Sequence, residues 1–221
     1  MTTLSRADFA RCIDHCLFRP DATRQDVERL CSEARAHSFH GVCVHGSRVE
    51  LAAALLENTD LKVTCLVGFP LGASESDAKR YEAEAAIDLG AQEIELVLNT
   101  GRLKEGDYRY VLRELRDVAE AAEERPVTVA LEVGLLTAEE VLKACALALD
   151  SGVKLVSTGT GLGRAATELE VKALRAAVGP KFGVKAGGRF ETAAVARALI
   201  AAGATRLGTT DSVSLVAEPA A

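Results

Sequence analysis

The sequence predicts an α/β fold of repeated βα units wound around a parallel sheet, and two observations predict it. Short runs rich in Val, Ile and Leu alternate along the chain with Ala-, Leu- and Glu-rich stretches, and Gly or Asp marks most junctions. The 221 residues hold no linker or low-complexity segment, so one domain over 1–221 is expected. In order, strands are expected at 12–17, 41–45, 62–67, 93–98, 127–132, 153–158, 183–186 and 206–209. Between them, amphipathic helices are expected at 24–37, 76–89, 107–124, 138–150, 168–178 and 192–202. A closed barrel and an open doubly wound sheet both satisfy this alternation.

Local signals fix several boundaries. Thr137-Ala-Glu-Glu140 has the order of a helix N-cap followed by an acid, and Gly90, Gly152 and Gly203 stand where helices should stop. The tail at 216–221, ending Glu-Pro-Ala-Ala, is expected to fray.

Composition excludes several function classes. Trp is absent, aromatic residues make up 4% and the formal net charge is −6, so neither a stacking platform nor a basic stripe for nucleic acid is present. The N-terminus lacks the apolar core of a signal peptide and no run approaches a bilayer span, which predicts a cytoplasmic protein without membrane partners. Six cysteines, at 12, 16, 31, 43, 65 and 145, lie singly with no C-x-x-C pair, fitting reduced thiols better than disulfides or zinc.

Several motifs carry more than periodicity: Ile13-Asp-His-Cys-Leu-Phe-Arg-Pro-Asp-Ala-Thr23, Val42-Cys-Val-His45, Val67-Gly-Phe-Pro-Leu-Gly72, Glu93-Ile-Glu-Leu-Val-Leu-Asn99, Gly183-Val-Lys-Ala186 and Gly203-Ala-Thr-Arg-Leu-Gly-Thr209. In order and spacing these resemble the deoxyribose-phosphate aldolase family. The resemblance implies an α/β (β/α)8 TIM barrel with its site at the C-terminal mouth, an aldehyde-lyase activity in carbohydrate metabolism, no cofactor and a Schiff-base mechanism. It also admits a phosphorylated small carbonyl substrate, and since relatives are often dimers, a homodimer is a compatible assembly.

The chain departs from the family where the chemistry is centred. The segment at 152–161 places Ser157 where the family carries its imine-forming lysine, and a serine cannot form an imine. Lys154 is an odd offset away and therefore on the opposite strand face. Glu95 stands for the strand-four aspartate, Lys185 matches the strand-seven lysine, and Cys16, His45 and Thr128 replace threonine, asparagine and lysine. Ordinary cleavage through the family lysine is not available to this sequence.

On residue chemistry alone, alternation puts Asp14, Cys16, His45, Glu95, Glu132, Ser157 and Lys185 inside the mouth. Lys185 sits among small and apolar neighbours and needs a carboxylate partner, with Glu95 and Glu132 the candidates. The catalytic set is therefore Lys185, Glu95, Glu132 and Asp14, although Lys185 with a carboxylate is also what a structural ion pair would look like. Asp14 can equally tie down backbone amides, and His15, alternating away from it, reads as a packing histidine.

Substrate contacts are expected from Cys16, His45, Ser157 and Thr158, and from the turns Gly187-Gly188-Arg189 and Gly208-Thr209-Thr210 that would face an anion. Asp211 beside those turns opposes a dianion, and Arg164 in the glycine-rich stretch 158–164 offers a second anion loop. A metal site using His45, Glu95, Glu132 and Cys16 has no ligand motif behind it, so no metal is expected. Three functions follow: an aldolase with Lys185 as relocated imine-forming or acid–base lysine, a non-imine enolisation, dehydration or cyclisation enzyme using Lys185, Glu95 and Glu132, or a non-catalytic binding relative.

Overall fold

In the computed structural model, which describes residues 4–217, eight parallel strands close into a barrel in the order β1 to β8. They are β1 Ile13–Cys16, β2 Gly41–His45, β3 Lys62–Val67, β4 Glu93–Val97, β5 Val127–Ala130, β6 Leu155–Ser157, β7 Gly183–Gly187 and β8 Arg206–Thr209. The expected strands all form, but β1, β4, β5 and β6 are shorter than predicted; β5 and β6 stop early because 131–132 and 158 already lie in the mouth loops, and β6 also starts two residues late. Closure by β1 pairing with β8, Asp14 opposite Gly208, settles barrel against open sheet.

The outer helices include α2 Arg24–His37, α4 Ser76–Asp88, α6 Tyr108–Ala121, α7 Ala138–Ser151, α8 Glu168–Val178 and α9 Ala193–Ala201. Capping boxes start α2 at Thr23, α7 at Thr137 and α8 at Thr167, each satisfying two backbone donors that a helix start would leave open. Gly152 ends α7 at φ 99°, a conformation that glycine reaches without a Cβ clash. Four shorter helices, α1 Arg6–Ala10, α3 Val49–Leu55, α5 Thr100–Lys104 and α10 Ser212–Ala217, were not expected from periodicity. Each spans two turns or fewer, too short for a 3.6-residue period to stand out. Residues 218–221 of the predicted frayed tail, and 1–3 of the expected 1–221 domain, lie outside the described residues.

Strand alternation separates two interiors. Outward residues such as Val42, Val44, Val63, Ile94, Leu96, Val129, Val156, Val184 and Leu207 join one continuous core with the helices. Burying each such side chain stabilises by about 1.5–3 kcal/mol. The inward faces carry Asp14, Thr64, Glu93, Glu95, Thr128, Ser157 and Lys185, all buried, and only Cys16, Cys43 and Leu66 form an apolar cluster there. The barrel is thus polar and ionised along its axis. All six cysteines are free. Among the described residues no helix is long and apolar enough to cross a membrane.

Candidate active site

Lys185 is the centre of the inward network. From the middle of β7 its Nζ reaches Asp14 Oδ2 on β1 at 2.6 Å and Glu95 Oε2 on β4 at 2.8 Å. Such a crossing needs an opening in β8, and Gly208 supplies it, because a Cβ at that position would lie 2.6 Å from Lys185 Cε. Towards the strand N-termini the chain of charges continues: Arg206 Nη1 donates to Asp14 Oδ1 at 3.0 Å and Glu93 Oε2 at 3.2 Å, and His40 Nε2 lies 2.8 Å from Glu93 Oε1.

Electrostatics fix the charge states. Burial opposes a charged Lys185, but the two adjacent carboxylates more than offset it, and its pKa lies well above the ordinary lysine value. Burial likewise works against an ionised Asp14, yet Lys185 and Arg206 hold its carboxyl well below the usual range. Glu93 is also lowered, with His40 and Arg206 outweighing its burial. Lys185 is therefore an ammonium, and since an ammonium has three N–H donors, Asp14 and Glu95 leave one for another oxygen.

A sulfur and aromatic roof covers this ammonium. Cys16 and Cys43 are register partners, Cys43 Sγ lies 3.7 Å from Glu95 Oε2, and Phe18 and Phe69, their ring centroids 5.1 Å apart, pack on the cluster of Cys16, Cys43 and Leu66. The Cys16 thiol and burial together push the Cys43 thiol well above its usual pKa, so it is a neutral filler here. His45 stands edge-on to Phe69 and its Nε2–H donates to Phe18 O at 3.2 Å, which makes it part of the roof and not a neighbour of Lys185. Lys185, Asp14 and Glu95 are only 2%, 2% and 4% exposed beneath it.

The remaining expected residues separate into those near the ammonium and those outside it. Ser157 is the register partner of Lys185 but is fully buried, and its hydroxyl donates to Gly159 O at 3.1 Å. Lys154, just before β6, is exposed and on the other side. Glu132 does not join Lys185: it adopts the left-handed conformation at φ 53° and accepts a hydrogen bond from the Thr160 amide, packing against Gly159. The physical reason is that β5 ends at Ala130, so strand alternation no longer aims residue 132 into the barrel. Asp14, weighed above as a backbone tie, takes the place expected of Glu132 beside the lysine. His15 packs as expected, tilted against Phe39 and held between Glu33 and Ser212.

Among the described residues three cavities lie at the mouth, one of them, about 230 Å³, lined by His45 with Leu17, Arg19 and Arg48. The largest of them, about 580 Å³, is lined by Cys16, Phe18, Arg29, Gly188, Arg189, Thr209 and Thr210 among others, so parts of the turns after β7 and β8 meet in one cleft. The smallest, about 190 Å³, is lined by Glu132, Thr158, Gly187 and Arg164 among others. Cys16 is the group that both lines the large cleft and stands near Lys185, since the same point above Gly208 is 3.3 Å from Lys185 Nζ and 3.8 Å from Cys16 Sγ.

Sequence reasoning passed over Arg206, Glu93 and His40, and also a second ionic anchor. Lys79 on α4 and Glu114 on α6 are fully buried and 2.9 Å apart, and Lys79 also donates to Val97 O at 2.9 Å. With Glu82, whose Oε2 accepts from the Gly68 amide at 2.7 Å, they brace the turn after β3, which carries Phe69, and the end of β4. A signal existed: Lys79 shares the buried face of α4 with Ala83 and Ala86, and Glu114 sits in the apolar stripe Val111, Leu115, Val118 of α6.

Comparison with known proteins identifies relatives of the whole barrel. The model of the DeoC/LacD family aldolases matches residues 9–208. A deoxyribose-phosphate aldolase of Thermoanaerobacter sp. (strain X514) is 44% identical over 215 residues, 96% of each chain. One from Thermococcus gammatolerans is 44% identical over 214 residues, 95% of each chain. The tetrameric deoxyribose phosphate aldolase structure from Aeropyrum pernix superposes with a TM-score of 0.90 at 27% identity, covering 96% of this chain and 91% of that one.

Proposed function

Since the chain belongs to the DeoC/LacD aldolase family and is a lyase of the aldolase type, we propose that it cleaves or forms a carbon–carbon bond in a small carbonyl compound without an imine, using Lys185 as a charged donor. The observation that carries this reading is the position of Lys185 between Asp14 and Glu95 at 2.6 and 2.8 Å. An imine requires a neutral amine, and two carboxylates in a buried site keep the proton on.

In the cleavage direction a β-hydroxy carbonyl compound enters from the large cleft past Cys16, which requires the Cys16 and Phe18 roof to open. The remaining N–H of Lys185 donates to the carbonyl oxygen. Glu95 takes the proton from the β-hydroxyl, the Cα–Cβ bond breaks, and its electron pair becomes an enolate whose oxygen faces the ammonium. Glu95 then returns the proton to carbon, releasing an aldehyde and a second carbonyl compound. Asp14, tied to Arg206, holds Lys185 in place throughout.

The reading is tested by incubating the protein with a panel of aldehydes and ketones, with and without borohydride, and following bond cleavage together with protein mass. The expected result is turnover that borohydride does not trap and that Lys185→Met abolishes. A borohydride-dependent mass on Lys185 would replace this reading with the relocated imine. No turnover of any panel member, with ligand binding retained, would replace it with a binding role.

A further inference from the structure

Two thiols meet beside Lys185, and the reaction above makes no chemical use of either. Cys16 ends β1, and Cys43, in the middle of β2, is its register partner. In-register residues on neighbouring strands stand about 4.7–4.9 Å apart with their side chains on one face, inside the roughly 4.4–6.8 Å that a disulfide spans. Both point into the barrel, share the small cluster with Leu66, and have their thiols in hydrogen-bond contact. The other four cysteines lie elsewhere: Cys31, Cys65 and Cys145 belong to the core on the helix side of the strands, and Cys12 precedes β1, its thiol donating to Asp8 O at 3.3 Å.

The two differ in access and in neighbours. Cys16 lines the large cleft, whereas Cys43 is fully buried under the roof. The Cys43 thiol points to Glu95 Oε2 at 3.7 Å, the same oxygen that accepts from Lys185 Nζ at 2.8 Å. Lys185 Nζ in turn faces Cys16 Sγ across the opening at Gly208. A carboxylate thus stands on the inner thiol and an ammonium beside the outer one, joined by a single hydrogen bond.

We propose that Cys16 and Cys43 are a redox pair, in which hydrogen peroxide entering by the cleft oxidises Cys16 and Cys43 resolves it to a disulfide that ties β1 to β2 at the entrance to Lys185. In the first step the Cys16 sulfur attacks one peroxide oxygen and the O–O bond breaks. The thiol proton leaves with the departing oxygen as water, and the other oxygen stays on sulfur as a sulfenic acid. In the second step the Cys43 sulfur attacks the Cys16 sulfur and the S–O bond breaks. Glu95 takes the Cys43 proton, Lys185 gives one to the departing hydroxide, and the Glu95–Lys185 hydrogen bond returns the proton to the amine. The two sulfurs together lose two electrons, the peroxide gains them, and the charges at the site end as they began. None of this depends on which carbonyl compound the site takes.

The test is limiting hydrogen peroxide added to the folded chain at neutral pH, followed by alkylation and peptide mass mapping of disulfides over time. Wild type is expected to give a Cys16–Cys43 linked peptide that dithiothreitol releases. Cys43→Ser should instead accumulate a sulfenic acid on Cys16 that dimedone traps, and Cys16→Ser should leave Cys43 a thiol. Glu95→Gln should slow the link at least about tenfold, since a positioned base is worth at least that much. Glu95→Asp, which keeps a carboxylate, guards against a variant that does not fold and should link faster than Glu95→Gln. Oxidation of Cys12 with the Cys16–Cys43 pair left intact, no linked peptide at all, or linking as fast in Glu95→Gln as in wild type would each overturn the proposal.

Discussion

Ser157 on β6 and Lys185 on β7 are register partners, yet they serve different neighbours: the Ser157 hydroxyl turns to Gly159 O at 3.1 Å, and Lys185 crosses the barrel to Asp14 and Glu95. The side chain that could have shared the mouth with Lys185 has become part of the wall. What remains is a single ammonium compensated by two carboxylates.

That compensation predicts a stability cost for removing the cation. Lys185→Met leaves Glu95 buried without its ion-pair partner and Asp14 with Arg206 alone, and should destabilise by about 3–5 kcal/mol in urea unfolding at neutral pH. Adding Glu95→Gln should recover part of that loss, because the uncompensated charge goes with it. Additive losses in the double variant would show that the two groups are not coupled.

Acid should act through the same network. Asp14 and Glu93 titrate lower in the folded chain than the roughly 3.9 and 4.3 expected when unfolded. Between the folded and unfolded values the unfolded chain binds more protons, so stability rises with pH there. This contribution is fully present above the unfolded values and is lost as the pH falls through the folded ones. Urea unfolding from about pH 6 down to about pH 2 should therefore show a falling free energy below about pH 4, and Asp14→Asn should flatten that slope.

Ser157→Lys should install imine chemistry where the wild type has none. The neighbouring Lys185 ammonium lowers the pKa of the introduced amine, which frees it for attack on an aldehyde. Since Ser157 is fully buried, the larger side chain should also cost about 1–3 kcal/mol of stability. The check is acetaldehyde with borohydride followed by peptide mass mapping: a mass at position 157 in the variant, and none at that position in wild type.

Much of the barrel was legible in the sequence because it is written in periodicity. Arg24–His37 and Glu168–Val178 carry a capping residue, an apolar stripe and a stop, and form over the expected residues. Short helices such as Thr100–Lys104 carry no such stripe. At the site, Lys185 and Glu95 were readable because strand alternation and the need for a counter-charge point to the same pair. Glu132 was placed wrongly because alternation was carried two residues past the end of β5, into a left-handed turn. Arg206 and Glu93 stayed hidden because they begin their strands, where a charge ordinarily reads as a solvated junction, whereas barrel closure turns them towards Asp14.

The charge on Lys185 tests the account most directly, and it needs no substrate. With the lysines labelled at Cε, a carbon NMR titration assigned by Lys185→Met reports the protonation of this one amine. The account predicts that Lys185 stays an ammonium beyond the ordinary lysine value of about 10.4 for as long as the chain remains folded. Deprotonation near neutral pH would contradict it and make Lys185 an amine ready to form an imine.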